Sequence, residues 1–132
     1  MKKTGFEMGT ILDASAWIEL FNGSDKGREI DAAVESGNCN TSILTLAEVT
    51  NWAIREGREY TLLIDRIERL SCVLYIDRKI AVLAGEIDFQ RKKIVKKWGI
   101  ADSFVLATAI SYGLQIITTD SGFNGLPDAK VL

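Results

Sequence analysis

Asp102-Ser103-Phe104-Val105-Leu106-Ala107-Thr108-Ala109-Ile110-Ser111-Tyr112-Gly113-Leu114-Gln115-Ile116-Ile117-Thr118-Thr119-Asp120 reads as a helix, a stop and a buried strand in one stretch. Asp102 opens the helix, Phe104, Val105, Ala109 and Tyr112 give it apolar bulk, and Gly113 closes it. Leu114 to Ile117 is short and apolar throughout its core, the composition of a strand covered on both faces. Such strands belong to parallel sheets, so the rest of the chain should supply further strands alternating with helices.

It does so upstream. Thr10-Ile11-Leu12 is an apolar run ending at Asp13, followed by a helix from Ala14 to Phe21 that Asn22-Gly23 stops. A helix from Lys26 to Glu35, a strand from Asn40 to Ile43 and a helix from about Leu46 to Arg55 come next. Tyr60 to Leu70 carries Leu63, Ile67 and Leu70 at helical spacing, and Cys72 to Ile76 is β-rich. A long amphipathic helix is expected from Arg78 to about Lys97, and a last short strand from Ala129 to Leu132. With a single proline and no repeat or linker, residues 1–132 form one domain. The expected architecture is a three-layer α/β/α domain with a central, mostly parallel sheet, whose working site lies beyond the carboxyl ends of the strands.

Composition narrows the chemistry. Among 132 residues there are 16 Lys plus Arg, 18 Asp plus Glu and no histidine. That excludes Ser-His-Asp and Cys-His nucleophiles, imidazole acid/base cleavage through a 2′-hydroxyl and His-ligated zinc. Cys39 and Cys72 have no C-x-x-C spacing and read as reduced structural thiols. Met1 to Glu7 lacks a signal-peptide apolar run and no stretch is long enough to span a bilayer, so the expectation is a cytoplasmic protein with no membrane association. With four carboxylates committed to cations, the net charge of −2 would become +2, which leaves a polyanionic substrate open.

Four acids fall at the ligand-binding end of this fold: Asp13 after the first strand, Glu48 opening the third helix, Asp102 opening the sixth and Asp120 after the fourth strand. Each also suits capping. Thr45-Leu46-Ala47-Glu48 has the form of a capping box, Asp102 that of an N-cap, and Asp13 and Asp120 sit at turns. Capping leaves their company unexplained: Asp13-Ala14-Ser15 straight off a strand, Thr45-Leu46-Ala47-Glu48-Val49, the Asp102 helix, and Thr118-Thr119-Asp120 with Phe123, in that order.

In these four motifs and their order the sequence resembles the PIN-domain family over nearly its whole length, and most of all the VapC toxins of VapBC toxin–antitoxin pairs. The resemblance implies a PIN-like ribonuclease fold and a Mg²⁺/Mn²⁺-dependent endoribonuclease acting on RNA, with Asp13, Glu48, Asp102 and Asp120 as catalytic, metal-holding acids and Ser15 and Thr118 as supporting hydroxyls. It implies a small VapB-like antitoxin as partner and a homodimer as the assembly. One departure is visible: many relatives carry a further acid just after Thr-x-Asp, where this chain has Ser121-Gly122. A catalytically weak or silent PIN-like module for RNA binding or assembly is therefore the alternative function. Hard oxygen ligands are in keeping with Mg²⁺ or Mn²⁺.

Arg91, Lys92, Lys93, Lys96 and Lys97 crowd the stretch before Asp102, as a solvated helix end or as an RNA phosphate guide. Trp17, Leu20, Phe21 and Trp52 read first as core, with a partner groove as the alternative, and Trp98 as an anchor for its helix end. No G-x-G-x-x-G or Walker loop follows any strand, and the acid pairing of a phosphatase or receiver domain is missing.

Overall fold

In the computed structural model, which describes residues 9–132, five strands hydrogen-bond into one sheet. They are Thr10–Leu12 (β1), Cys39–Ser42 (β2), Cys72–Leu74 (β3), Gln115–Thr118 (β4) and Ala129–Val131 (β5). Their order is β3-β2-β1-β4-β5 and every pair is parallel. The reading of Met1 to Glu7, and the start of the domain at residue 1, lie outside the described residues.

A parallel pair cannot be joined by a tight turn, and the crossovers are helical. Ala14–Asn22 (α1) and Asp25–Glu35 (α2) link β1 to β2. Ile43–Arg55 (α3) and Tyr60–Leu70 (α4) link β2 to β3, and Arg78–Arg91 (α5) and Ile100–Tyr112 (α6) carry the chain back to β4. After β4 comes a short 3-10 turn, Ser121–Phe123. The chain thus builds outward from β1 to β3 and returns to the other side of β1, which places the topological switch between β1 and β4, where open α/β sheets hold their ligands.

Strand periodicity sets the layers. Leu12 and Ile117 face one core with Ala16, Trp17 and Leu20 of α1, Ile30 and Val34 of α2, Val49 and Ile67. Their neighbours Ile11 and Ile116 face the other, against Val105, Leu106 and Ala109 of α6, Trp98 and Phe123. Ile80 and Ala84 then pack α5 onto Ala107 of α6. Trp17 is fully buried, with Nε1 donating to Thr41 Oγ1 at 3.2 Å, so the core reading of Trp17 and Leu20 holds. Phe21 and Trp52 are only partly covered, under Arg66 and Arg58 respectively. Gly113, at φ 66°, takes the left-handed turn that ends α6 and starts β4.

Two helices depart from the sequence reading. α3 starts at Ile43, capped by Ser42, whose Oγ accepts from Leu44 N–H at 3.2 Å. Thr45 is therefore inside the helix, its Oγ1 buried without a partner among the described residues, and Glu48 lies in the second turn rather than in a capping box. The long helix expected to reach Lys97 ends at Arg91. Continued, it would have stacked Lys92 on Lys96 and Lys93 on Lys97, like charges four residues apart. Turning there also brings Trp98 inward, where its Nε1 donates to Ser103 Oγ at 2.7 Å.

The tightest approach between helices is at Gly27, where a Cβ would lie 2.5 Å from the carbonyl oxygen of Glu19 in α1. Gly to Ala inside a helix ordinarily gains about 0.5–1 kcal/mol. Gly27→Ala should instead lose about 1–3 kcal/mol in urea unfolding, because α2 must back away from α1. A gain would mean that the two helices do not meet as described.

Candidate active site

The register that pairs Leu12 with Ile117, carried one residue further, sets Asp13 beside Thr118. Asp13 is the N-cap of α1 and only 5% exposed, so its carboxylate must find donors inside the protein. It finds three. Ser15 Oγ donates to Oδ1 at 2.7 Å, Ala16 N–H to the same oxygen at 3.0 Å, and Thr118 Oγ1 to Oδ2 at 2.5 Å. The two hydroxyls also order the facing turn: Thr119 N–H donates to Ser15 Oγ and Asp120 N–H to Thr118 Oγ1, both at 3.0 Å. Asp120 in turn caps the 3-10 turn, with Gly122 N–H donating to its Oδ1 at 2.8 Å.

Asp102 reaches the same end of the sheet because α6 runs back toward the start of β4 and so begins where the strands end. It is the third residue of α6, not its N-cap, and its Oδ2 accepts from Gly99 N–H at 2.9 Å. Glu48 comes from the second turn of α3 and accepts no hydrogen bond among the described residues. Burial, then the charges of Asp102 and Asp13, push the Glu48 carboxyl up to about 7. Burial raises Asp102 to about 6 against the Gly99 hydrogen bond, with Asp120, Asp13 and Asp88 adding repulsion. Burial also raises Asp13, opposed by its three donors, with Asp120 adding to the rise. The four acids expected from sequence are thus one electrostatic unit, and no cation is among the influences on Asp13, Glu48 or Asp102.

Among the described residues, no three acidic or thiol side chains stand close enough to hold an ion between them. The donor set nevertheless fits Mg²⁺ or Mn²⁺, because a hard ion that keeps much of its water needs only one or two carboxylates at a time. Asp13 has about one lone-pair position left after its three donors, and one oxygen each of Asp102 and Asp120 is outside the hydrogen bonds described above.

A cavity of about 430 Å³ adjoins the acids on one side, bounded by the α5–α6 connection and the 3-10 turn and reaching Asp102 and Asp120. The five cations singled out in the sequence divide around it. Lys96 and Lys97 line it. Arg91 forms part of its wall, but its guanidinium is engaged, donating to Gly122 O at 2.6 Å and lying 4.8 Å over Trp98. Lys92 and Lys93 do not line it: Lys92 pairs with Asp88 at 2.9 Å, and Lys93 sits over Phe89. Trp98 is buried beneath Arg91 and Phe123, which bears out its anchoring role.

Sequence reasoning missed the outer supports of the site. Asp88 accepts from Ser103 Oγ, which accepts from Trp98, and its charge bears on Asp102. Gly122 was noticed only as the place of an absent acid, yet it links Arg91 to Asp120 through its carbonyl and its N–H. A Cβ there would come within 3.1 Å of Asp120 Oδ1, so glycine suits the turn. No linear spacing signals contacts that span thirty residues or depend on the backbone.

Comparison with known proteins accords with this architecture. A family model described as PIN domain matches residues 10–128. Curated protein sequences give no match. Among solved structures, a toxin–antitoxin complex from Klebsiella pneumoniae is 24% identical, with a TM-score of 0.74 over 93% of this chain and 97% of that one. VapBC-1 from nontypeable Haemophilus influenzae is 25% identical, with a TM-score of 0.69 over 95% and 97%. VapC20 from Mycobacterium tuberculosis, described as a sarcin-ricin loop cleaving toxin, is 16% identical, with a TM-score of 0.70 over 90% and 95%. Among the described residues no helix is long and apolar enough to cross a membrane.

Because folding raises the carboxyls of Glu48 and Asp102, their protonated forms favour the folded state. That contribution is complete below their unfolded values near 4 and is lost as pH rises through about 6 to 7. In chelator, Glu48→Gln should therefore stabilise the protein at pH 8 by about 1 kcal/mol, the repulsion being screened by water at the open side, and have little effect at pH 4. Urea unfolding of both proteins at the two pH values measures this; a loss of stability at pH 8 would make Glu48 a structural acid.

Proposed function

The chain belongs to the PIN-domain family, and from that membership and the acids gathered at β1 and β4 we propose that it is a metal-dependent endoribonuclease, the toxin of a type II toxin–antitoxin pair. The observation that carries this reading is the convergence of four carboxylates at the sheet's topological switch with no protein cation set to neutralise them. Such a cluster is costly unless an ion or a protonation answers it. Asp13, Glu48, Asp102 and Asp120 would hold Mg²⁺ or Mn²⁺, which when bound supplies Lewis-acid polarisation of a phosphodiester and acidifies water. The chain's own groups do the positioning. Ser15 and Thr118 fix both oxygens of Asp13, Gly99 N–H fixes Asp102 and Gly122 N–H fixes Asp120. With no histidine to draw on the 2′-hydroxyl, hydrolysis by water is the route left to this site, and the products should carry 5′-phosphate and 3′-hydroxyl ends.

The proposed protein partner is a small VapB-like antitoxin. A second cavity, about 370 Å³, runs between α1 and α3 past Ile18, Asn51, Trp52 and Arg55 and ends at Glu48, so an occupant there would approach the acids. Val82 and Phe89, seven residues apart on α5 and both exposed, offer an apolar face for the homodimer. The place of action is proposed as the cytoplasm.

Purified protein should cut single-stranded RNA in Mg²⁺ or Mn²⁺ and not in chelator. Asp13→Asn and Asp102→Asn should each slow cleavage about a thousandfold, a loss of roughly 4 kcal/mol of transition-state stabilisation. End-group analysis of the products checks the chemistry. Cleavage in chelator, or 2′,3′-cyclic ends, would overturn the mechanism; binding without cleavage in any metal would make the protein a silent RNA-binding module.

A further inference from the structure

The cavity beside Asp102 and Asp120 holds features that the acids do not explain. Among the described residues the only ion pairs are Arg28–Asp25 and Lys92–Asp88, so Lys96 and Lys97 face it without carboxylate partners, although acids stand at its inner end. Ile94, 74% exposed, stands in its wall next to the half-buried Val95. An apolar side chain left in water between two uncommitted lysines is a poor solvated surface but a good seat for a ligand with a flat apolar part and a negative charge. Ser121 and Asn124 add hydroxyl and amide groups on the opposite wall, from the turn that Asp120 caps.

We infer that this cavity is a one-nucleotide subsite for single-stranded RNA, immediately flanking the acid cluster, in which Lys96 and Lys97 hold a backbone phosphate, Ile94 and Val95 support the base and Asn124 meets its edge. This rests on the ribonuclease reading and gives it a direction: the strand crosses the Asp102/Asp120 side of the site, away from the α1–α3 groove. The base must rest on Ile94 and Val95 because Trp98, the one aromatic in the wall, is already covered by Arg91 and Phe123. Arg91 is excluded as a phosphate ligand by its bond to Gly122 O, and it acts as the wall's positioning residue. The volume, near the lower end of small-ligand cavities, admits one nucleotide. A duplex, whose bases are stacked and paired inside, could not present a base to it.

The test is binding of short labelled oligoribonucleotides to Asp13→Asn protein in Mg²⁺, repeated with unsubstituted protein in chelator so that no single variant has to fold well. The double change Lys96→Ala/Lys97→Ala should weaken binding about tenfold or more at about 0.1 M salt and lower the slope of log affinity against log salt by about 1.4. Lys92→Ala/Lys93→Ala, of equal charge but off the cavity, should leave both within twofold. Asn124→Ala should change the ranking of homopolymers of A, C, G and U without changing the salt slope. Equal losses from the two lysine pairs, an unchanged slope, or tighter binding of duplex than of single strand would overturn the subsite. The underlying reading fails separately: RNA that binds with these dependences but is never cut refutes the nuclease and leaves the subsite. RNA that is cut normally by the Lys96/Lys97 variant, with unchanged KM, refutes the subsite and leaves the nuclease.

Discussion

A carboxylate buried at the end of a central strand is tolerated only if the fold brings donors to it, and that requirement at Asp13 organises the catalytic end of this molecule. Its three donors come from the first turn of α1 and from the end of β4, more than a hundred residues away in sequence. Meeting them demands that β4 pair with β1 in the observed register, that a hydroxyl stand two residues after the acid, and that another end β4. The same hydroxyls then accept from Thr119 and Asp120, so the turn carrying the second acid is fixed by the groups that satisfy the first. Asp-x-Ser and Thr-x-Asp, which look like short coincidences in a linear reading, are two halves of one hydrogen-bonded knot.

That linkage explains which parts of the site were legible in the sequence. Asp13 and Asp120 sit where an apolar run stops, and strand ends show plainly in composition. The parallel sheet, fully parallel where the reading expected mostly parallel, followed from Ile116-Ile117 and the alternation of strands with helices. Glu48 was harder. Thr45 and Glu48 satisfy the pattern of a capping box, yet Ser42 caps the helix and Thr45 is buried, because the helix begins directly off β2 and needs its first turn to cover the sheet. Asp102 was assigned to the right end of its helix but one turn-position off. The overlong α5 shows the opposite failure: local propensity carried the pattern through the lysines, and the tertiary demand for a buried Trp98 broke it.

The cavity was not legible at all, and the reason is physical. Its wall depends on Arg91 donating to the backbone of Gly122, an acceptor that any residue there would supply and that no sequence pattern marks. The basic run could be seen, but not its division into Lys92 and Lys93, spent on Asp88 and Phe89 of their own helix, and Lys96 and Lys97, turned to the cavity by the helix end. Segregation matters to the chemistry. A lysine set among the four acids would pair with them and close the site to other cations; lysines held one cavity away leave the acids unsatisfied and still offer a polyanion its first contacts.

The acids themselves divide along the same lines. Asp13, the most buried, is satisfied by the protein and can serve as a fixed reference for whatever binds. Glu48 and Asp102, half-buried at the open side, keep carboxyls raised by burial and mutual repulsion, which protein donors relieve only at Asp102. Had their repulsion been placed in either core it would have cost several kcal/mol and threatened the fold. At the rim, water and ions answer it, and the two hydrophobic cores on either side of the sheet do not depend on the answer. The rigidity of the site and its need for a cation therefore reside in different residues, so the acids can be changed to test one without dismantling the other.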